Sequence, residues 1–234
     1  MPTSPTTGLV RSVRSEPSSR HHGTSTSEFT IRPAAPFRLD FTAWALRRRQ
    51  HNRLDLWNGT YRRALLVGDR ALTVQVEQVG GGDQPELTVS VLTPGHCTPA
   101  EMASIDRQVT QLLGTTADLS TFYDLAETDD RVGRLKERFL GVKPPRFPSL
   151  FEALFNAIAN QQLSLEVGIG ILNRFAERFG ARPADDHGLI AFPVPEAVLE
   201  APLDDLRALG FSMRKAEYVV SSAHACLLYT SRCV

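Results

Sequence analysis

The sequence predicts an α+β protein in which a small antiparallel sheet with a helix precedes an all-helical domain. Between residues 37 and 95, apolar and polar residues alternate in short runs broken by Gly- and Pro-containing turns, the period of half-buried strands. After Leu119 the alternation gives way to apolar residues spaced three and four apart, the period of helices packed on one face. A chain of 234 residues that is 42% hydrophobic is long enough for two small domains with buried cores.

Taken in order, residues 1–35 are rich in Ser, Thr, Pro and Arg without hydrophobic periodicity. Such a segment cannot bury enough surface to offset its ordering entropy and reads as a disordered extension. A sheet-and-helix domain is expected over 36–118. Its "FRLDFTAW" alternates as a strand, "ALLVGDRALTVQVEQVG" reads as two strands joined at Gly68-Asp69, and "ELTVSVLTPG" reads as another. Thr98 as N-cap, Pro99 at the first helical position and Glu101 at the third mark a helix start. A helical domain is expected over 119–225. There "DLSTFYDLAE" and "DRVGRLKERFLG" read as short helices, and "VKPPRFP" as a proline-stiffened loop. "SLFEALFNAIANQQ" is a helix with Phe151, Leu154, Phe155 and Ile158 on one face, and Ser164 caps the next. "FPVPEAVLEAP" and "LDDLRALG" are two further short helices, and Ser212 caps the last one. Residues 226–234, "CLLYTSRCV", break the polar–apolar rhythm and read as a non-native tail.

Composition narrows the class. No apolar run reaches membrane-spanning length and the first residues lack the apolar stretch of a secretory signal, so the expected location is the cytoplasm. Cys97, Cys226 and Cys233 show neither paired spacing nor an even count, which argues against a disulfide framework and a zinc site. Neither a metal nor a cofactor is expected. Net charge is zero, yet charge is segregated. Phe37–Leu72 holds eight arginines and three aspartates, Thr73–Asp130 ten carboxylates and one arginine, and Arg131–Leu150 six cations and one glutamate. One face can therefore be basic in a neutral protein. Trp44 and Trp57 are expected to pack the first domain.

The A-I-x-x-Q-Q-x-S junction (Ala157, Ile158, Gln161, Gln162, Ser164), the F-P-x-P-E helix start and "LRALGFSMRKAEY" occur in the order and spacing of the helical domain of DNA-3-methyladenine glycosylase II. The chain thus resembles that family of helix-hairpin-helix DNA glycosylases. "LRRRQHNRLDLWNGTYRRALLVG" is similar to the family's small TBP-like N-terminal domain. The resemblance covers roughly Phe37 to Ala225. It implies a monofunctional base-excision repair hydrolase that binds double-stranded DNA containing alkylated bases, acts as a monomer and needs no cofactor. Such an enzyme flips the damaged base out of the stack and hydrolyses its N-glycosidic bond.

In that family an L-P-G-I-G hairpin binds a phosphate through backbone N–H groups, and a catalytic Asp follows. Neither occurs here. "LGFSMRKA" matches the helix pair that precedes the hairpin, so the resemblance implies a chain incomplete before its catalytic Asp, with no catalytic residue among these 234. A lyase lysine would fall on Arg214, which cannot act as an amine nucleophile. Asp204 and Asp205 are accounted for by a helix first turn, and Asp185 and Asp186 by a loop. The expected DNA contacts are Lys143, Pro144, Pro145 and Arg146, in the loop where the family presents a wedge, together with Arg214 and Lys215. Gln161 and Gln162 are the expected base-pocket residues. The alternative is a non-catalytic DNA-binding protein with the same architecture.

Overall fold

The computed structural model describes residues 27–46 and 52–232. Most of the extension expected over 1–35, the Arg47–Arg49 run and Cys233 lie outside the described residues. Five strands form one sheet: β1 (Glu28–Ile31), β2 (Asp55–Trp57), β3 (Tyr61–Val67), β4 (Arg70–Gln78) and β5 (Leu87–Val91). Their order is β1-β5-β4-β3-β2 with every neighbouring pair antiparallel. Val67 pairs with Arg70 across the expected two-residue turn, where Gly68 takes a left-handed φ of 58°, as tight hairpins require.

Two expectations for this half are corrected. "FRLDFTAW" is not a strand; residues Leu39–Leu46 form helix α1. Its short alternation is compatible with either period, and the helix turns Leu39, Thr42 and Ala43 inward together. Residues 28–31, expected to be disordered, instead form β1, which adds "EFTI" to the edge of β5, with Glu28 opposite Ser90 and Ile31 opposite Leu87. Four residues carry little periodicity of their own, and the ladder supplies the order.

Helix α2 (Pro99–Leu113) starts as expected. Thr98 Oγ1 accepts from Glu101 N and the Glu101 carboxylate accepts from Thr98 N, a reciprocal cap. Backbone and Thr98 hydrogen bonds hold the Glu101 carboxyl below its ordinary range. α2 buries Ile105, Val109, Leu112 and Leu113 in a core shared with the sheet and α1.

The rest is helical: α3 (Ser120–Ala126), α4 (Asp130–Phe139), α5 (Leu150–Asn160), α6 (Leu165–Phe179), α7 (Pro195–Leu199), α8 (Leu203–Ala208) and α9 (Met213–Arg232). Ser149 and Ser164 accept from the third backbone N–H of α5 and α6. A second core gathers around Phe155, whose ring stacks on Phe175 at 3.9 Å and meets Phe151, Phe192 and Phe211 edge-on. α9 continues through residues 226–232, and Cys226 is buried in this core. Neither Cys97 nor Cys226 is in a disulfide.

The two cores are joined by charge as well as by packing. Arg63 on β3 pairs with Asp55 on β2 at 2.8 Å and with Glu152 on α5, and all three are buried. Tyr61 donates its hydroxyl to Asp55. Desolvation pulls the Arg63 guanidinium toward neutrality, but the two carboxylates outweigh it and hold it charged. Desolvation raises the Glu152 carboxyl above its ordinary range in spite of Arg63. This tie fixes where α5 begins.

Candidate nucleic-acid interface

α5 ends at Asn160, and a turn of Gln161, Gln162 and Leu163 leads to the Ser164 cap of α6. Gln162 takes a left-handed φ of 56°, uncommon for a residue with a side chain. The turn sits against the start of α9, whose first residues follow Ser212; Ser212 Oγ accepts from Lys215 N at 3.3 Å. Lys215 Nζ donates to the Gln161 carbonyl at 2.6 Å. Arg214 Nε donates to Tyr218 Oη at 2.7 Å, with the guanidinium 5.5 Å from the Tyr218 ring.

Gln161, Gln162, Ser212, Arg214, Lys215 and Tyr218 thereby line one open cleft of about 490 Å³. Four of the eight residues expected at the site from sequence come together here, from segments about fifty positions apart. Both glutamine side chains are exposed. The lining is two cations, two amides and two hydroxyls, without a carboxylate. It can attract an anion and hydrogen-bond a polar ring edge. Among the described residues its lining has no carboxylate to stabilise a sugar cation.

The other four sit elsewhere, and one is corrected. Lys143 is not an exposed DNA contact: it is fully buried, with Nζ donating to the Ala117 carbonyl at 2.6 Å. Desolvation lowers its amine below the ordinary lysine range, and Asp118 only partly opposes this. A cation so enclosed cannot reach a phosphate. The sequence showed a lysine between a helix and two prolines but gave no sign of the carbonyl waiting for it. Pro144 and Arg146 are exposed and Pro145 half-buried. The loop is pinned from α2, where Arg146 N donates to Leu112 O at 3.1 Å and Gln111 Nε2 to Phe147 O at 2.8 Å. Pro145 and Arg146 line a narrower cleft with Leu54, Asn156 and Ile169.

Three of the four carboxylates considered from sequence have structural partners. Asp204 pairs with Arg207 at 2.9 Å, Asp205 with Arg178 at 2.8 Å, and Asp185 accepts from Thr93 at 2.7 Å. Trp44 is also corrected: it is 71% exposed on α1 rather than packed, whereas Trp57 packs against the first core.

Residues 155–232, from α5 to the end of α9, match the family model described as HhH-GPD superfamily base excision DNA repair protein. Over those residues the chain is similar to this superfamily. The chain is also similar to the DNA-3-methyladenine glycosylase of Bacillus subtilis (strain 168), with 23% identity over 173 residues covering 72% of this chain and 55% of the relative. It is 30% identical over 115 residues to DNA-3-methyladenine glycosylase 2 of Escherichia coli (strain K12), covering 47% of this chain and 41% of the relative. The solved 3-methyladenine DNA-glycosylase of Archaeoglobus fulgidus superposes with a TM-score of 0.70 at 26% identity, covering 83% of this chain and 66% of that one. The chain spans about half the length of the bacterial relatives it matches. The superfamily match encloses Gln161, Gln162, Arg214 and Lys215 and ends at the last described residue of α9.

Proposed function

We propose that the chain is the DNA-handling part of a base-excision glycosylase for alkylated bases such as 3-methyladenine, engaging double-stranded DNA as a monomer in the cytoplasm. The observation that carries this reading is the juxtaposition of Gln161 and Gln162 with Arg214 and Lys215 inside the superfamily match. Arg214 and Lys215 meet phosphates, and the glutamine turn meets the displaced base or its vacated position. Pro144, Pro145 and Arg146 approach the minor groove from their own loop. The chemistry suits such a scaffold. An alkylated purine is already cationic and leaves readily, so catalysis needs chiefly an anionic group to stabilise an oxocarbenium-like sugar and orient water. Weak pairing of the lesion lowers the cost of extruding it.

A second reading, DNA binding without base release, is favoured by the cleft lining, which contains no carboxylate. The experiment that separates them is incubation of the purified chain with methylated duplex DNA, measuring both binding and free 3-methyladenine. Binding with release supports the glycosylase, binding without release supports the second reading, and no binding contradicts both.

A further inference from the structure

α1 turns Leu39, Thr42 and Ala43 into the core, so Phe41 and Trp44, three positions apart, share its outer face. Phe41 meets Phe139 of α4 edge-on at 5.7 Å. Arg38 lies over the Phe41 ring at 3.8 Å and Arg138 lies 5.4 Å from the Phe139 ring. Two rings in contact thus each carry a guanidinium, and Trp44 lies about one turn further along α1. Trp44, the largest, is the most open of these side chains at 71%. The end of α1 that carries it borders the proline loop, since Ala45 and Leu46 line the same cleft as Pro145 and Arg146. Asp40, engaged with Arg38, is the carboxylate of α1, and the exposed Asp130 and Glu137 are those of α4.

The indole is open to solvent, and the two rings beside it on this surface each carry a guanidinium. Interleaved aromatic rings and arginines suit a polynucleotide strand: the π-faces take unstacked bases, and the guanidiniums take the phosphates between them. We infer that Trp44, with Phe41, Phe139, Arg38, Arg138 and Arg146, forms a second DNA-contact surface that stacks an unpaired base, separate from the Gln161–Lys215 cleft. This inference rests on the DNA-binding reading above and adds to it a place for single-stranded or locally unpaired DNA.

The test is a titration of the chain with a blunt duplex and with the same duplex carrying an unpaired tail, following tryptophan emission and affinity. Expected are saturable quenching that is absent in Trp44→Phe, and a Trp44→Ala variant that binds the tailed duplex roughly 5- to 100-fold more weakly while binding the blunt one nearly as before. Trp44→Phe should retain part of the affinity for the tail. Wild-type affinity of Trp44→Ala for the tailed duplex overturns the inference. So does a Trp44 emission shift that follows protein concentration without DNA, since a second copy would then cover the patch. If Arg214→Ala and Lys215→Ala weaken binding while Trp44→Ala does not, this inference alone fails; if the wild-type chain binds neither duplex, the DNA-binding reading fails with it.

Discussion

Arg63 crosses from the sheet to the helical domain and binds Glu152 of α5 with one guanidinium nitrogen while the other binds Asp55 at 2.8 Å, with all three side chains buried. Removing the cation leaves two carboxylates without their partner in a low-dielectric setting. Arg63→Met is expected to lower unfolding stability by about 3–5 kcal/mol, and adding Glu152→Met should restore part of it. Chemical denaturation of the single and double variants checks this; a single variant as stable as wild type would contradict it.

The same pair sets a pH dependence. Desolvation raises the folded-state pKa of Glu152 above its unfolded value. The group then contributes most below the unfolded glutamate range, and the contribution is lost as pH rises through the elevated folded value. Glu152→Gln cannot ionise. The melting temperature of wild type minus that of Glu152→Gln should therefore be highest at acidic pH and fall as pH increases. A difference that grows with pH would contradict the raised carboxyl.

Much of the fold is legible in the sequence because it depends on local chemistry. The Thr98–Glu101 box, the Gly68-Asp69 hairpin and the Ser164 cap are each set by residues three or fewer positions apart. What is hidden is decided at a distance. Helix α1 is read as a strand because Phe37, Leu39 and Phe41 alternate, and only the packing of Leu39, Thr42 and Ala43 decides the period. β1 exists because β5 offers it an edge. At the site, the cleft is legible through the Q-Q turn and the R-K pair, but Lys143 looks like any loop cation until the Ala117 carbonyl, twenty-six residues earlier, is placed beside it.

That placement makes Lys143 a stability residue. Lys143→Met should cost about 1–3 kcal/mol through the lost hydrogen bond and the orphaned Ala117 carbonyl. DNA affinity and its salt dependence should stay unchanged, as measured by thermal melting beside fluorescence-anisotropy titration. A shallower salt dependence would return Lys143 to the interface.

Gly168 on α6 packs against Asn160, the last residue of α5 before the glutamine turn. A Cβ there would lie 2.1 Å from Asn160 Oδ1 and 3.3 Å from Asn160 Cα. Gly168→Ala should displace Asn160, cost about 1–3 kcal/mol through overpacking, and weaken DNA binding although no cation is removed. Unchanged affinity in the folded variant would separate the turn from the interface.

The central claim, that Arg214 and Lys215 present the α5–α9 unit to DNA phosphates beside Gln161, is tested most directly by the salt dependence of duplex binding. In a plot of log affinity against log salt concentration, the Arg214→Ala/Lys215→Ala variant should lose about two units of slope relative to wild type, about one for each phosphate contact. An identical slope in a folded double variant would contradict the claim.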